Sequence, residues 1–275
     1  MLFSPNGLSP PFPSKLKING EVIERIGLRF PTKSFKLVGI NLDDNLKWGE
    51  HVNKVRSKLA STAYAIARIK NTVPKEIKLQ TYNSLFKCHL EYCLPVWGGC
   101  SKSNVRSISK LQKQVVRNIS SSKYNSHTDP IFRKLKILKF PDLYEFSSAI
   151  FMFQTALKMH PPSIVNIFPR AVNFDRNLDF QLKYFSNAGL MNQLHSTLVS
   201  KWNKLSPGIK GWLKEYPENF SKKKTTFSQP SKVTNTNFSL NKFRLKSCKK
   251  ALLDYFIYNY SSVVSCNNKY CSDCT

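Results

Sequence analysis

The feature that most restricts the fold of this chain is a row of apolar residues spaced for one face of a helix. Trp48, Val52, Val55, Leu59, Thr62, Ile66 and Ile69 recur at intervals of three and four. That spacing stacks them on one stripe of a helix with 3.6 residues per turn, and the stripe must be covered by another element. Residues 35–42 before it are apolar and β-branched and read as one strand, with Gly39 where backbone can approach closely. Asp43, Asp44 and Asn45 then offer turn and N-cap chemistry, because a short side-chain oxygen accepts a bond from the free amides of a first helical turn. The helix is expected to begin near Leu46. Lys47, Lys54, Arg56, Lys58, Arg68 and Lys70 fall on its flanks and back, against Glu50.

Upstream, residues 1–14 hold four of the 15 prolines and no periodicity, which suits a flexible lead-in. Residues 16–26 alternate apolar and polar around Asn19-Gly20. That dipeptide favours a type I′ hairpin turn, which needs positive φ at both central positions. With the strand at 35–42 this gives a three-stranded sheet at most, too small to stand alone.

Downstream, Pro74 suits the first turn of a second helix, whose apolar face is Leu79, Tyr82, Leu85, Phe86, His89, Leu90 and Cys93, with Pro95 ending it. A third helix starts at Ser101 and places Val105, Ile108, Leu111, Val115 and Ile119 on one face. It also carries Arg106, Lys110, Lys113 and Arg117 with no acidic residue. Three antiparallel helices with short links make a small bundle. After a polar break at 120–127, helices are expected over 130–138, from Pro141 to about 157, and through Leu190, Leu194, Leu198 and Trp202. Residues 161–185 are aromatic but irregular. No acid occurs at 219–253, where 221–237 reads as a mobile basic loop, and a last helix is expected over 240–260.

The fold expected is therefore mainly α: a helical bundle with a small N-terminal β-hairpin or three-stranded sheet remnant. Its segments are 1–14, 15–45, 46–120, 121–260 and a cysteine-containing tail at 261–275. The chain has 43 Lys and Arg against 16 Asp and Glu, a net charge of +27. Such self-repulsion is relieved by a polyanion, with nucleic acid the leading candidate and an anionic membrane surface second. No run approaches the roughly 20 apolar residues that cross a bilayer, and the first residues lack a signal-peptide pattern. Seven scattered cysteines fit a reducing compartment. An intracellular protein, cytoplasmic or nuclear and not secreted, is expected.

The run Leu37-Val38-Gly39-Ile40-x-Leu42-Asp43-x-x-Leu46-x-Trp48-x-x-His51-Val52, followed by Lys58-Leu59, resembles the segment just beyond the polymerase site of jockey-like non-LTR retrotransposon reverse transcriptases. The likeness continues through Tyr92-x-x-Pro95-Val96-Trp97-Gly98, Leu111-Gln112-Lys113-x-x-x-Arg117-x-Ile119, Asp129-Pro130-Ile131-Phe132 and Trp202-Asn203-x-Leu205. The resemblance implies a primer-grip hairpin, a thumb and a C-terminal tail, separated from the palm that does the chemistry. It implies a grip on template and primer, RNA and DNA, through phosphate contacts, with a palm supplied in cis or in trans.

Under that reading the nucleic-acid-binding residues are Gly39, Lys47, Lys54, Arg56, Lys58, Arg106, Lys110, Lys113 and Arg117, joined by Lys222, Lys223, Lys224, Lys246, Lys249 and Lys250. Phosphate neutralisation by such cations reads no bases. Tyr64, Tyr82, Tyr92 and Trp97 are placed to stack on bases, yet helical spacing favours the core. Asp43-Asp44 imitates a polymerase carboxylate pair, but a third carboxylate on an earlier strand is needed. Only Glu21 and Glu24 precede it, so turn and cap duty is expected, and the chain should be inactive alone. Cys266, Cys271 and Cys274 are three thiols where a closed zinc site wants four ligands. Cys88, His89 and Cys93 read as a helix face, and His51 and His195 as packing or surface residues. No cofactor is expected for the piece itself, Mg²⁺ belonging to a full-length polymerase. The rival readings are a stand-alone basic nucleic-acid-binding protein and a zinc-dependent assembly module.

Overall fold

A computed structural model describes residues 15–24, 34–43, 46–171, 179–182, 189–205 and 210. The protein is mainly helical with small β-elements at its N-terminal end. Two hairpins come first: β1 (Lys15–Ile18) pairs antiparallel with β2 (Glu21–Glu24), and β3 (Ser34–Leu37) with β4 (Ile40–Asp43). The expected three-stranded sheet is instead two separate two-stranded ones. Asn19 and Gly20 both take positive φ, as a type I′ turn requires. The single strand expected over 35–42 is split by a second such turn at Val38 and Gly39, with φ of 47° and 81°. A β-branched residue at positive φ is strained. It is held there because the Tyr92 hydroxyl donates to the Val38 carbonyl.

The described residues part into two compact units, the first comprising those among 15–131, 139–141 and 189–191. Its helix α1 (Gly49–Arg68) begins later than Leu46, and no side chain caps it. Leu46 and Trp48 are both left-handed, which bars helical continuation, and both are buried. Burying two large apolar side chains, about 1.5–3 kcal/mol each, outweighs the missing cap. Asp43 ends β4 and does not cap the helix; its backbone carbonyl accepts from the Leu46 amide at 3.2 Å. The sequence-predicted stripe is buried through Val52, Val55, Leu59, Thr62 and Ile66, with His51 and Ala63 added.

The second helical run is α2 (Lys75–Thr81), a wide π turn (Tyr82–Lys87) and α3 (Cys88–Glu91). Lys78, Tyr82, Phe86, Leu90 and Leu94 are buried at every fourth position, whereas Leu85 is exposed. Four-residue steps drift about 40° per turn around an α-helix, and the wider π turn takes up that drift. After α4 (Leu94–Trp97), α5 (Lys102–Ile119) is capped by Ser101, whose hydroxyl accepts from the Asn104 amide at 3.4 Å. Lys78 is buried in an apolar row because its Nζ donates to the Lys70 carbonyl at 2.8 Å and to Ser121 Oγ at 3.1 Å. Lys70 Nζ reaches the Ser122 carbonyl at 3.4 Å. The C-terminal ends of α1 and α5 therefore share one end of the bundle, where cations suit the helix dipoles.

Helix α6 (Asp129–Leu135) stops three residues short of expectation, and α7 (Phe140–Ala156) follows it. Helices α5, α6 and α7 end alike, with Ser121, Lys136 and Lys158 in left-handed conformation. In each, the next amide bonds five residues back: Ser122 to Arg117, Ile137 to Phe132, Met159 to Gln154. These are Schellman ends made without the glycine that normally marks them.

The second unit comprises the described residues among 132–138, 142–184 and 192–210. Within 161–185, where no element was expected, lie the helical turn α8 (Pro162–Val165) and a bridge between Arg170 and Phe180. Helix α9 (Gly189–Asn203) buries Leu198 and Trp202 of the expected row, with Val199 added, and leaves Leu194 half-buried. Asn203 accepts from the Phe180 amide at 3.1 Å and donates to its carbonyl at 3.0 Å, as a neighbouring strand would. Among the described residues, no helix is long and apolar enough to cross a membrane.

Candidate nucleic-acid interface

The cations of α5 are the best organised charges in the described chain. Arg106, Lys110, Lys113 and Arg117 stand at i, i+4, i+7 and i+11. At about 100° per residue they fall within roughly 60° of one another, along about 16 Å of helix. The opposite face buries Ile108, Gln112, Val115 and Ile119. Arg106, Lys110 and Lys113 are exposed. Arg117 is half-buried, its Nε donating to the Ser126 carbonyl at 2.9 Å. Burial works to raise the Asp129 carboxyl, but Lys139, then His127, then Lys113 together hold it below the usual carboxylate value. The free end of the ridge is therefore Arg106 and Lys110.

Helix α1 contributes differently. Lys54 and Lys58 are exposed at i and i+4 on one edge, and both lie near His51. Arg56 is about 160° around the helix from each, so α1 does not bring these three cations to one face. That separation is implicit in the spacing. Lys47 is exposed in the connection before α1. The four ion pairs among the described residues are Lys87–Glu91, Lys139–Asp129, Lys201–Glu145 and Lys210–Asp179. None uses a candidate cation.

Gly39 sits at the exposed tip of the β3–β4 hairpin, where a Cβ would meet the Tyr92 ring at 3.3 Å. It is a turn residue as well as a point of close approach. The hairpin is tied to the bundle twice: by Tyr92 to Val38, and by the Asn41 amide donating to His51 Nδ1 at 3.3 Å. His51 also lies edge-on to Trp97 at 5.2 Å, and Trp97 Nε1 donates to the Tyr92 carbonyl at 2.8 Å. Of the two roles expected for His51, packing or surface, it takes the buried one; its part as an acceptor for β4 has no sequence signal. Of the aromatic residues expected in the core, Tyr82 and Trp97 are buried but Tyr64 and Tyr92 are exposed. Cys88, expected on a core face, is exposed as well.

Because Nδ1 accepts a bond, His51 must be neutral on that nitrogen in the folded chain. Burial first, then Lys58 and Lys54, holds its pKa below the usual histidine value. A depressed histidine pKa means that the unfolded chain takes up the proton first. The stability held in neutral His51 is thus complete above about pH 6.5 and falls as pH drops below it, by at most about 1.4 kcal/mol per pH unit. His89 is depressed too, by burial and then Lys58. The comparison to make is therefore wild type against His51→Asn in urea unfolding from pH 7.5 to 5. The variant should be less stable at neutral pH and lose less on acidification; parallel curves would contradict the assignment.

Lys222, Lys223, Lys224, Lys246, Lys249, Lys250, Cys266, Cys271 and Cys274, like the loop at 221–237 and the helix at 240–260, lie outside the described residues. Among the described residues no three His, Cys, Asp or Glu side chains are grouped to hold a metal ion.

Comparison with known proteins gives one informative match. The chain is 24% identical over 118 residues to the probable RNA-directed DNA polymerase from transposon X-element of Drosophila melanogaster. The match covers 42% of this chain and 13% of that protein. No family model and no solved structure matches. The chain thus contains a region related to a transposon reverse transcriptase and spans a small part of such a protein's length.

Proposed function

We propose that this chain is the primer-grip, thumb and tail portion of a jockey-like non-LTR retrotransposon reverse transcriptase, and that it holds template and primer by their backbones. The observation that carries this reading is the acid-free ridge of α5. Four cations on one face at helical rise match a string of phosphates, while the opposite face is committed to the core. The docked β3–β4 hairpin and the Lys54–Lys58 edge of α1 add to it. The contacts are non-catalytic: positive charge neutralises phosphate and releases counterions, and no bond is made or broken. A palm in cis or in trans supplies the polymerase chemistry.

The test is a salt titration of the full chain against an RNA–DNA duplex. Each neutralised phosphate contributes about −0.9 to the slope of log affinity against log salt, so the α5 ridge alone should supply up to about −3.6. A slope near zero would refute the backbone grip.

A further inference from the structure

Two exposed tyrosines have no part in a grip on phosphates. Tyr64 is 65% and Tyr124 83% exposed. Each has a guanidinium beside its ring: Arg68 Cζ lies 6.0 Å from the Tyr64 centroid, and Arg117 Cζ 5.8 Å from that of Tyr124. Both arginines are also fixed by a hydrogen bond, Arg68 Nη1 to the Tyr64 hydroxyl at 3.4 Å and Arg117 Nε to the Ser126 carbonyl at 2.9 Å. A ring with a cation alongside and its remaining surface open to water offers a π-face to a planar ligand that also carries negative charge. Nucleotides combine the two.

Position sharpens the point. The α5 ridge ends at Arg117, the residue that attends Tyr124. Tyr64 and Arg68 occupy the last turns of α1, whose end is tied to the end of α5 by Lys70 and Lys78. A strand whose phosphates follow Arg106, Lys110 and Lys113 is delivered to Tyr124.

We propose that Tyr64 and Tyr124 are stacking platforms for unpaired bases, so that this end of the bundle takes single-stranded nucleic acid. The proposal rests on the backbone-gripping function of the ridge and adds the class of strand that it prefers. Bases inside a duplex already stack on their neighbours and have no face to offer; bases of a single strand do.

The test uses the full chain with oligo-dT, oligo-U and a duplex closed at both ends by loops of abasic linker. Tyr64→Ala and Tyr124→Ala should each weaken binding to both single strands by about 5- to 150-fold, the usual worth of one stacked base. Duplex affinity and the salt slope should not change, and Tyr64→Phe and Tyr124→Phe should restore single-strand affinity. Both rings are exposed, so unfolding curves of the variants should match wild type. Alanine variants that bind single strands normally, that lose duplex affinity equally, or that phenylalanine fails to rescue would overturn the proposal and leave the ridge intact. Wild-type binding without salt dependence would instead remove the ridge, and the proposal with it.

Discussion

Replacing Trp97 by alanine is expected to lower the unfolding free energy by about 3 to 5 kcal/mol, the range for truncating a fully buried aromatic side chain. Trp97 is wholly buried, stacks on Phe140 at 5.7 Å and meets His51 edge-on at 5.2 Å. Its Nε1 holds the Tyr92 carbonyl, and Tyr92 in turn holds the tip of the hairpin through Val38. One side chain therefore links α1, the turn before α4 and the start of α7, and braces the attachment of β3–β4. Trp97→Phe keeps a ring against Phe140 but drops the donor, and should cost about 1 to 2 kcal/mol. Urea unfolding of the full chain followed by circular dichroism reads both. An alanine variant within about 1 kcal/mol of wild type would mean that this junction is not where the unit is joined.

Gln112→Leu should cost about 2 to 5 kcal/mol although the two side chains are close in size. Gln112 is buried on α5, where its Nε2 donates to the Tyr82 hydroxyl at 3.0 Å and its Oε1 accepts from the Phe140 amide at 2.9 Å. That amide is the first of α7, one of those left without an intrahelical partner. Leucine orphans two buried polar groups, each worth about 1 to 3 kcal/mol. Burial already pushes the Tyr82 phenol well above its usual pKa, so it cannot recover by ionising. Tyr82→Phe made in the Gln112→Leu background should be nearly free, because the hydroxyl is already unpaired. Made alone it should be costly, and the difference is the coupling energy. Equal costs in both backgrounds would dissolve the network.

Much of the helical architecture is legible because periodicity reports burial: the stripes of α1 and α5, the start of α5 at Ser101 and the Asn19-Gly20 turn all follow from local rules. What escapes is decided by tertiary contact. Val38-Gly39 is no standard turn signal, since a β-branched residue at positive φ is tolerated only with Tyr92 holding its carbonyl. The start of α1 moves past Leu46 because two apolar side chains are better buried than capped. Helices α5, α6 and α7 end on Ser121, Lys136 and Lys158, where composition gives no glycine to mark the stop. Lys78 and Gln112 look like solvent-facing residues until the carbonyls and amides that they serve are in place.

The candidate interface divides in the same way. The ridge of α5 can be read from spacing alone, since Arg106, Lys110, Lys113 and Arg117 sit in register on a face without acid. Treating Arg56 together with Lys54 and Lys58 ignores the angle between them, which the same spacing contains. The partial engagement of Arg117 and Lys113 depends on Ser126, Tyr124 and Asp129 folding back beside α5, and no local pattern announces that.

The central claim is that the α5 ridge, and not the net charge of the chain at large, grips nucleic acid. The most direct test compares Arg106→Ala/Lys110→Ala with Arg133→Ala/Lys134→Ala, an equal loss of charge from the exposed cations of α6. Duplex affinity is measured for both across salt concentrations. The ridge variant should flatten the slope by about 1.8, two phosphate contacts' worth, while the α6 variant keeps the wild-type slope. Equal slopes for the two variants would contradict the account.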